Sequence, residues 1–91
     1  MPDPLRVRVL TDTGVAIDEH AVSLVAPGEL GYLGVLRNHA PLVTTLAAGT
    51  LTWRTSRGER RALTISSGLL EILHNHVTVL TTIVEGAAHV A

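Results

Sequence analysis

Apolar and polar residues alternate with a period of two along most of this chain, which is the pattern of half-buried β-strands. The first run spans residues 5–10, where Arg6 and Arg8 interrupt the aliphatic positions. No window of eleven residues favours an amphipathic helix. We therefore predict an all-β fold, a small β-sandwich or flattened barrel of about eight to ten short, mostly antiparallel strands with no substantial helix. Glycine, proline and asparagine separate the first run from the later ones, which cover residues 15–17, 21–26, 43–46, 50–55, 59–66, 69–73 and 77–84.

The length of 91 residues fits a single domain with one core. We expect a sandwich domain over residues 1–86 and a short tail over residues 87–91. Positions 3 and 4 are aspartate and proline, so the beginning is unlike a signal peptide. The longest stretch without arginine or an acid, residues 38–53, contains histidine, proline and glycine and is unlike a membrane-spanning helix. We expect neither a leader nor a membrane span.

The composition excludes several classes of function. Tyr32 and Trp53 are the only aromatic residues, which argues against a sugar-binding face or a base-stacking surface. The net charge of −1 provides no long-range attraction for nucleic acid or for an anionic membrane. The chain has no cysteine, so it has neither a disulfide framework nor a thiolate zinc site.

Two short motifs could indicate a ligand, and both are better explained as turns. Gly28, Gly31 and Gly34 follow neither the dinucleotide fingerprint nor a phosphate loop. Residues 31–34 match the Gly-x-x-Gly of a KH domain, but they are apolar and flanked by strands, so turn geometry is favoured over nucleic-acid binding. The pair His74 and His76 could chelate a metal on a continuous strand, but the asparagine between them indicates a turn with solvated histidines.

The charged residues also fail to indicate catalysis. No serine, histidine and acid stand in a recognisable nucleophile–base arrangement, and residues 18–20 read as a polar surface run. We therefore predict no catalytic residues, no cofactor and no metal, and no enzymatic activity. Four arginines cluster around one hairpin tip, where we favour a solvated, edge-protecting loop over a contact with an acidic partner: Arg54, Arg57, Arg60 and Arg61.

The segment of residues 31–42 favours protein docking over chemistry. It carries no acid and no cysteine, and it is rich in aliphatic residues. Pro41 fixes its own φ and restricts the residue before it, so His39 to Pro41 should form a rigid corner. An exposed apolar patch on a small protein usually marks an interface. We predict such a patch around this corner, formed by Leu33, Val35, Leu36, Leu42, Val43 and Leu46.

Two blocks of this sequence resemble the epsilon subunit of F-type ATP synthases, which is called delta in mitochondria. Residues 31–42 are similar to the family pattern Gly-x-Leu-Gly-x-Leu-x-x-His-Ala-Pro-Leu. Residues 66–71 and 75–80 are similar to a second block, Ser-Gly-Gly-x-Leu-Glu followed by Asn-x-Val-Thr-Val-Leu. The resemblance runs from about Leu5 to Gly86. It departs at Tyr32, where the family usually places Glu or Gln, and at Ser67, where a second Gly is common.

The resemblance implies a non-catalytic rotor subunit at the foot of the central stalk. Such a subunit links the gamma subunit to the membrane c-ring and so couples ion translocation to ATP synthesis. It implies a peripheral location on the cytoplasmic face of a bacterial membrane, reached only through the complex. The family's helical hairpin, which can inhibit hydrolysis, is expected to have no counterpart in residues 87–91.

The same resemblance implies two groups of contact residues. Those on the c-ring side are Gly31, Tyr32, Leu33 and Gly34. Those near gamma are His39, Pro41 and Leu42. The alternative that the residues leave open is a free-standing β-sandwich adaptor that binds another protein through the same patch.

Overall fold

The structure is a computed structural model that describes residues 3–82 and the backbone of residues 84–90. The described part contains ten strands and no helix, which confirms the predicted all-β class. The strands are β1 (Leu5–Thr11), β2 (Gly14–Ala21), β3 (Ser23–Gly28), β4 (Gly31–Leu36), β5 (Leu42–Leu46), β6 (Gly49–Arg54), β7 (Arg60–Ile65), β8 (Gly68–Leu73), β9 (His76–Thr81) and β10 (Val84–Val90).

The strands pair in the order β10-β7-β6-β3-β5-β8-β9-β1-β2, and β4 pairs with β3 off this path. The sheet curls over on itself, so that the half with β3, β6 and β7 faces the half with β8, β9, β1 and β2, as the contact between Trp53 of β6 and Glu19 of β2 shows; these two halves are the layers of the sandwich. A single residue pair, Gly28 with Leu46, connects β3 to β5 where the layers meet. The pair β1–β9 is parallel and the other described pairs are antiparallel, as predicted.

The core lies between the two layers and follows the alternation of the sequence. In β1, Leu5, Val7 and Val9 are fully buried because their side chains share one face. Leu51 and Trp53 of β6 face them from the other layer and are also buried. The remaining large members of this cluster are Ile17, Leu24, Val35, Leu46, Leu63, Ile65, Leu70, Ile72, Val77 and Val79.

The predicted turn geometry at residues 31–34 is wrong, because these residues belong to strand β4. Strands β3 and β4 form a hairpin around the two residues at positions 29 and 30. Gly31 closes it with a φ of +132°, which a larger residue rarely adopts. Gly28 opposes it so closely that an added Cβ would lie 2.7 Å from the Gly31 carbonyl oxygen. Two glycines therefore close β3 and β4 into a tight hairpin.

Two other boundaries differ from the sequence-based prediction. Strand β2 continues through Ala21, and β3 begins only at Ser23, because the chain bends at Val22. Residues 84–90 form β10, which pairs with β7 and includes most of the expected tail. The boundary at residue 86 remains a prediction. Within the described residues, no helix is long and apolar enough to cross a bilayer.

Candidate partner-binding surface

The β3–β4 hairpin carries the most exposed large apolar side chains of the described residues. Leu30, at its tip, is fully exposed, and Leu36 and Tyr32 are 65% and 64% exposed. Side chains alternate along β4. Tyr32, Gly34 and Leu36 therefore share the outer face, and Leu33 and Val35 point inward. The hairpin therefore presents apolar side chains at its tip and along one face.

The predicted apolar patch is correct for two of its six members. Leu36 and Val43 are exposed. Val35 and Leu46 are fully buried, which contradicts their place in the patch. Alternation explains this result, because in β4 and β5 every second side chain points toward the core. The remaining two, Leu33 and Leu42, are partly buried and pack against the core.

Tyr32 lies across the neighbouring strands. Its hydroxyl oxygen accepts a 3.4 Å hydrogen bond from the Thr50 backbone N–H. A Cβ on Gly49 would lie 3.0 Å from that hydroxyl and 2.8 Å from the Cβ of Pro27, so Gly49 leaves the space through which the tyrosine reaches. The tyrosine is thus held at its hydroxyl while most of its surface stays exposed.

The corner at residues 37–41 is fixed to the turn between β8 and β9. The backbone N–H of Asn38 donates to Asn75 Oδ1 at 2.6 Å, and Asn75 Nδ2 donates to Asn38 Oδ1 at 3.3 Å. Both asparagines have a positive φ, which asparagine tolerates better than most residues. The His39 ring nitrogen Nδ1 lies 2.6 Å from the Ala40 carbonyl oxygen. These hydrogen bonds connect the corner to a second turn, in addition to the restriction on φ that Pro41 imposes.

The structure does not bring the two predicted contact groups together. Gly31 to Gly34 begin at the hairpin tip, whereas His39, Pro41 and Leu42 follow the other end of β4. A six-residue strand spans about 20 Å at ~3.3 Å per residue, so the groups lie at opposite ends of β4. His39 is half-buried and Pro41 is exposed. Both line a cavity of about 370 Å³ with Asp3, Asn38, His74 and Asn75.

Residues 18–20 are more than the polar surface run that the sequence indicated. Glu19 points inward from β2, and its Oε1 accepts a 2.8 Å hydrogen bond from Trp53 Nε1 in the opposite layer. Its other oxygen lies 3.3 Å from Arg61 Nη2. Glu19 therefore joins the two layers, and Arg61 is a half-buried partner of this carboxylate. The prediction that the arginines around the β6–β7 hairpin are solvated is wrong for Arg61. It is correct for the other three, Arg54, Arg57 and Arg60, which are exposed.

Asp18 makes an ion pair on the outer face of β1 and β2. Arg6 donates two hydrogen bonds to its carboxylate, from Nε at 3.0 Å and from Nη2 at 2.9 Å. The hydrogen bond from Arg6 is the main reason that the pKa of Asp18 is lowered, and burial opposes that shift. The same bond raises the pKa of Arg6. The pair is solvated, so it contributes little to stability.

The two histidines at positions 74 and 76 do not lie on one continuous strand. His74 and Asn75 form the turn between β8 and β9, both with a positive φ, and His76 begins β9. Both histidines are exposed, as the solvated interpretation predicted. Among the described residues, no three histidine or acidic side chains are grouped so as to hold a metal ion.

A second apolar row on the other layer was missed by the sequence analysis. It crosses four strands in register, from Leu69 to Leu80, then to Leu10 and Val15. Leu69, Leu80 and Val15 are 37%, 45% and 56% exposed. The signal was the consecutive pair of leucines at 69 and 70, since two neighbours in a strand cannot both enter the core.

Comparisons with known proteins agree with this fold. The sequence model of the family described as "ATP synthase, Delta/Epsilon chain, beta-sandwich domain" matches residues 4–87. The ATP synthase epsilon chain of Solibacter usitatus is 39% identical over 90 residues, which cover 99% of this chain and 66% of that protein. The epsilon chain of Moorella thermoacetica is 38% identical over 81 residues, which cover 89% and 60%. The chain thus spans about two thirds or less of these relatives.

Two solved structures share the fold at low sequence identity. A chain of the Euglena gracilis mitochondrial ATP synthase, in a structure that includes the c-ring, matches with a TM-score of 0.86 and 21% identity, over 93% of this chain and 54% of that one. A chain from the central stalk and c-ring of the Tetrahymena thermophila mitochondrial ATP synthase matches with a TM-score of 0.75 and 12% identity, over 92% and 67%. Since the family model covers nearly the whole sequence and the ten strands form the fold it describes, the chain belongs to the ATP synthase delta/epsilon β-sandwich family.

Proposed function

We propose that this chain is a non-catalytic rotor subunit in the central stalk of an F-type ATP synthase. In this role it links the gamma subunit to the membrane c-ring, so that ion translocation is coupled to ATP synthesis. The chain is then a peripheral component of a membrane complex, on the cytoplasmic face of a bacterial membrane. Membership of the family supports the subunit identity, and the named complexes of its structural neighbours support the assembly.

The observation that carries the proposal is the exposed apolar hairpin of β3 and β4. Leu30, Tyr32 and Leu36 are largely exposed, whereas the aliphatic side chains of the core are buried. Burying such surface against another protein is favourable by roughly 25 cal/mol per Å². We assign Gly31, Tyr32 and Gly34 to the c-ring side. Leu33 supports this group from the inside, because it packs against the core.

The corner at His39, Pro41 and Leu42 is assigned to the side near gamma. Its backbone is tied to the β8–β9 turn by the paired asparagines. A contact that transmits rotation has to resist deformation, and a surface held by hydrogen bonds to a second element is better suited to this than a free loop. In this assignment β4 contacts the c-ring near its first residues, and the chain that follows β4 contacts gamma.

Reconstitution tests the proposal. A bacterial ATP synthase stripped of its own epsilon chain is supplied with this chain, and both copurification and gradient-driven ATP synthesis are measured. We expect the wild type to copurify and to raise ATP synthesis. The double substitution Leu30→Asp with Tyr32→Asp should weaken binding by about 30-fold or more, as loss of a central apolar contact of ~2 kcal/mol would.

Val15→Asp is the matched control, because it adds a charge to another exposed apolar position, on strand β2, which is not paired with β3 or β4. We expect it to copurify like the wild type, and thermal melting should confirm that all variants are folded. Failure of the wild type to bind the gamma–c-ring assembly would contradict the proposal. If the chain then captured a different protein through the same hairpin, the adaptor alternative would hold.

A further inference from the structure

Three of the ten strands pair on one side only within the described part of the chain, namely β2, β4 and β10. An exposed strand edge invites pairing with other chains, and proteins usually protect it with charge, proline or a bulge. The sequence of β2 contains three ionisable residues in a row at 18–20, and its register with β1 shifts near Val9. The register of β10 with β7 also shifts, between Glu85 and Ala88. Both edges are therefore protected in the usual way.

Strand β4 has none of these protections. Its sequence, Gly-Tyr-Leu-Gly-Val-Leu, contains no charged residue and no proline. Its six residues pair with β3 in unbroken register. A regular, uncharged edge strand is the type that natural proteins avoid unless another strand covers it.

The outer edge of β4 offers backbone groups at alternate residues. The Leu36 carbonyl accepts a 3.2 Å hydrogen bond from the backbone N–H of His39, so it points away from β3. Backbone groups alternate between the two sides of a strand, so those of Tyr32 and Gly34 also point to the open edge. Pro27 agrees with this assignment. Pro27 pairs with Tyr32, and its carbonyl oxygen accepts a hydrogen bond from the Ala47 backbone N–H, on the side of β3 away from β4. The backbone groups of this residue pair therefore do not bond to each other, and those of Tyr32 point to the open edge.

Neither backbone conformation nor packing within the described chain requires glycine at position 34. Its φ is not positive, and an added Cβ would meet no atom within 4 Å. Glycine in the middle of a strand is destabilising by roughly 0.5–1 kcal/mol relative to alanine. Elsewhere such a glycine often marks a place where another backbone or a ligand approaches closely. On the outer face it leaves a gap between the exposed side chains of Tyr32 and Leu36.

From these observations we propose that an extended, uncharged segment of a neighbouring subunit adds to the sheet as a strand beside β4. Its backbone bonds to Tyr32 and Gly34, and one of its apolar side chains fills the gap over Gly34. This mode of binding uses main-chain bonds for affinity and side-chain pockets for specificity. The inference rests on the proposed function, since it specifies how one partner in the stalk assembly is held.

The extent of the apolar surface favours another subunit over a second copy of this chain. The surface continues past the end of β4 to the fully exposed Leu30 at the hairpin tip. A partner that supplies only a strand beside β4 leaves Leu30 uncovered. A larger partner covers both the edge and the tip. An uncharged occupant fits this contact, because residues Leu30 to Leu36 carry no charge that could pair with a charged one.

Amide hydrogen exchange tests the pairing directly. The isotope-labelled chain is exchanged alone and within the gamma–c-ring assembly, then recovered and analysed residue by residue. In the isolated chain, we expect fast exchange at Tyr32 and Gly34 and slow exchange at Leu33 and Val35, which face β3. In the assembly, exchange at Tyr32 and Gly34 should slow by at least tenfold. If the chain binds while these two amides still exchange rapidly, the inference is wrong and the proposed function stands.

Two substitutions at one position separate backbone pairing from surface contact. Gly34→Pro and Gly34→Ala both add a Cβ, but only proline removes the outward N–H. A proline is tolerated at an edge strand whose N–H faces solvent, and thermal melting checks that both variants fold. We expect at least a tenfold loss of affinity for the assembly with Gly34→Pro and a smaller loss, of about threefold, with Gly34→Ala, because its methyl group enters the gap over Gly34 while its N–H is kept. Equal losses would overturn the backbone pairing.

The remaining outcomes are also decisive. Slow exchange at Tyr32 and Gly34 in the isolated chain, with a mass that rises with concentration, would mean that a second copy occupies the edge and would overturn the assignment to another subunit. Failure of every version to bind the assembly would overturn the proposed function, and this inference with it.

Discussion

Strands β2 and β4 are both edge strands, but β2 carries charged residues that protect its open edge and β4 carries none. β2 directs the charged Glu19 into the sandwich and Asp18 onto the outer face, where Arg6 holds it. β4 has no charge at all and exposes Tyr32 and Leu36. An edge that must stay free needs protection, whereas an edge that will be covered must remain able to pair. The difference therefore indicates which side of the molecule meets a partner.

The two edges also differ in what they do for the fold. Glu19 connects β2 to the opposite layer through Trp53 and Arg61. The outer side of β4 makes one contact of this kind, the long bond from Thr50 to the Tyr32 hydroxyl. Substitutions on the β2 edge should therefore change stability, while those on the outer side of β4 should change binding.

The largest effect on stability is expected from Glu19→Ala. This change leaves the buried indole N–H of Trp53 without its acceptor and removes the partner of Arg61. An unsatisfied buried donor costs about 1–3 kcal/mol, and chemical denaturation should reveal a loss of this size.

Glu19→Gln is the matched control, because the amide oxygen can still accept from Trp53. It should lose less stability than Glu19→Ala. Equal losses would mean that the charge on Glu19, rather than the hydrogen bond to the indole, joins the layers.

A smaller effect of opposite sign is expected from Gly34→Ala in the isolated chain. The added methyl group meets no atom and the backbone is unstrained, so stability should rise by about 0.5–1 kcal/mol. Gly68→Ala is the contrast, because its Cβ would collide with the Leu80 carbonyl oxygen of the neighbouring strand. A loss of stability with Gly34→Ala would show that glycine is needed there by the fold itself.

The smallest effect is expected from Asp18→Asn, and it should depend on pH. The pKa of Asp18 is lower in the folded chain, chiefly through the bond from Arg6. The folded state therefore gains stability above the ordinary aspartate pKa of about 3.9 and loses it as the pH falls through the lowered value. The melting temperature of Asp18→Asn should lie slightly below that of the wild type at neutral pH, and the difference should vanish in acid.

Arg6→Gln provides a check on the cause of that effect. In the double variant, the substitution at Asp18 should have a clearly smaller pH-dependent effect, since the bond that chiefly lowers the pKa is already absent. An undiminished difference would assign the effect to another neighbour of the carboxylate, such as Arg8 or His20.

Much of the fold could be predicted because strand alternation is a local property. Leu5, Val7 and Val9 alternate with arginines, and all three are buried. The turn at Asn75 and the positive φ of Gly58 also follow from residue type. The segment 31–36 was the main error, because an aliphatic run between glycines is consistent with either a loop or a strand. Only pairing with β3 decides between them, and that pairing is tertiary.

The sequence by itself determined the all-β class, most of the core and the family, since these depend on the order of apolar residues and on two linear motifs. The tertiary structure decided which aliphatic side chains stay outside. It buried Val35 and left Leu36 exposed, and it turned Glu19 from a surface acid into a link between layers. The physical reason is that alternation fixes which neighbours share a face, whereas strand pairing fixes which face meets the core and which edge stays open.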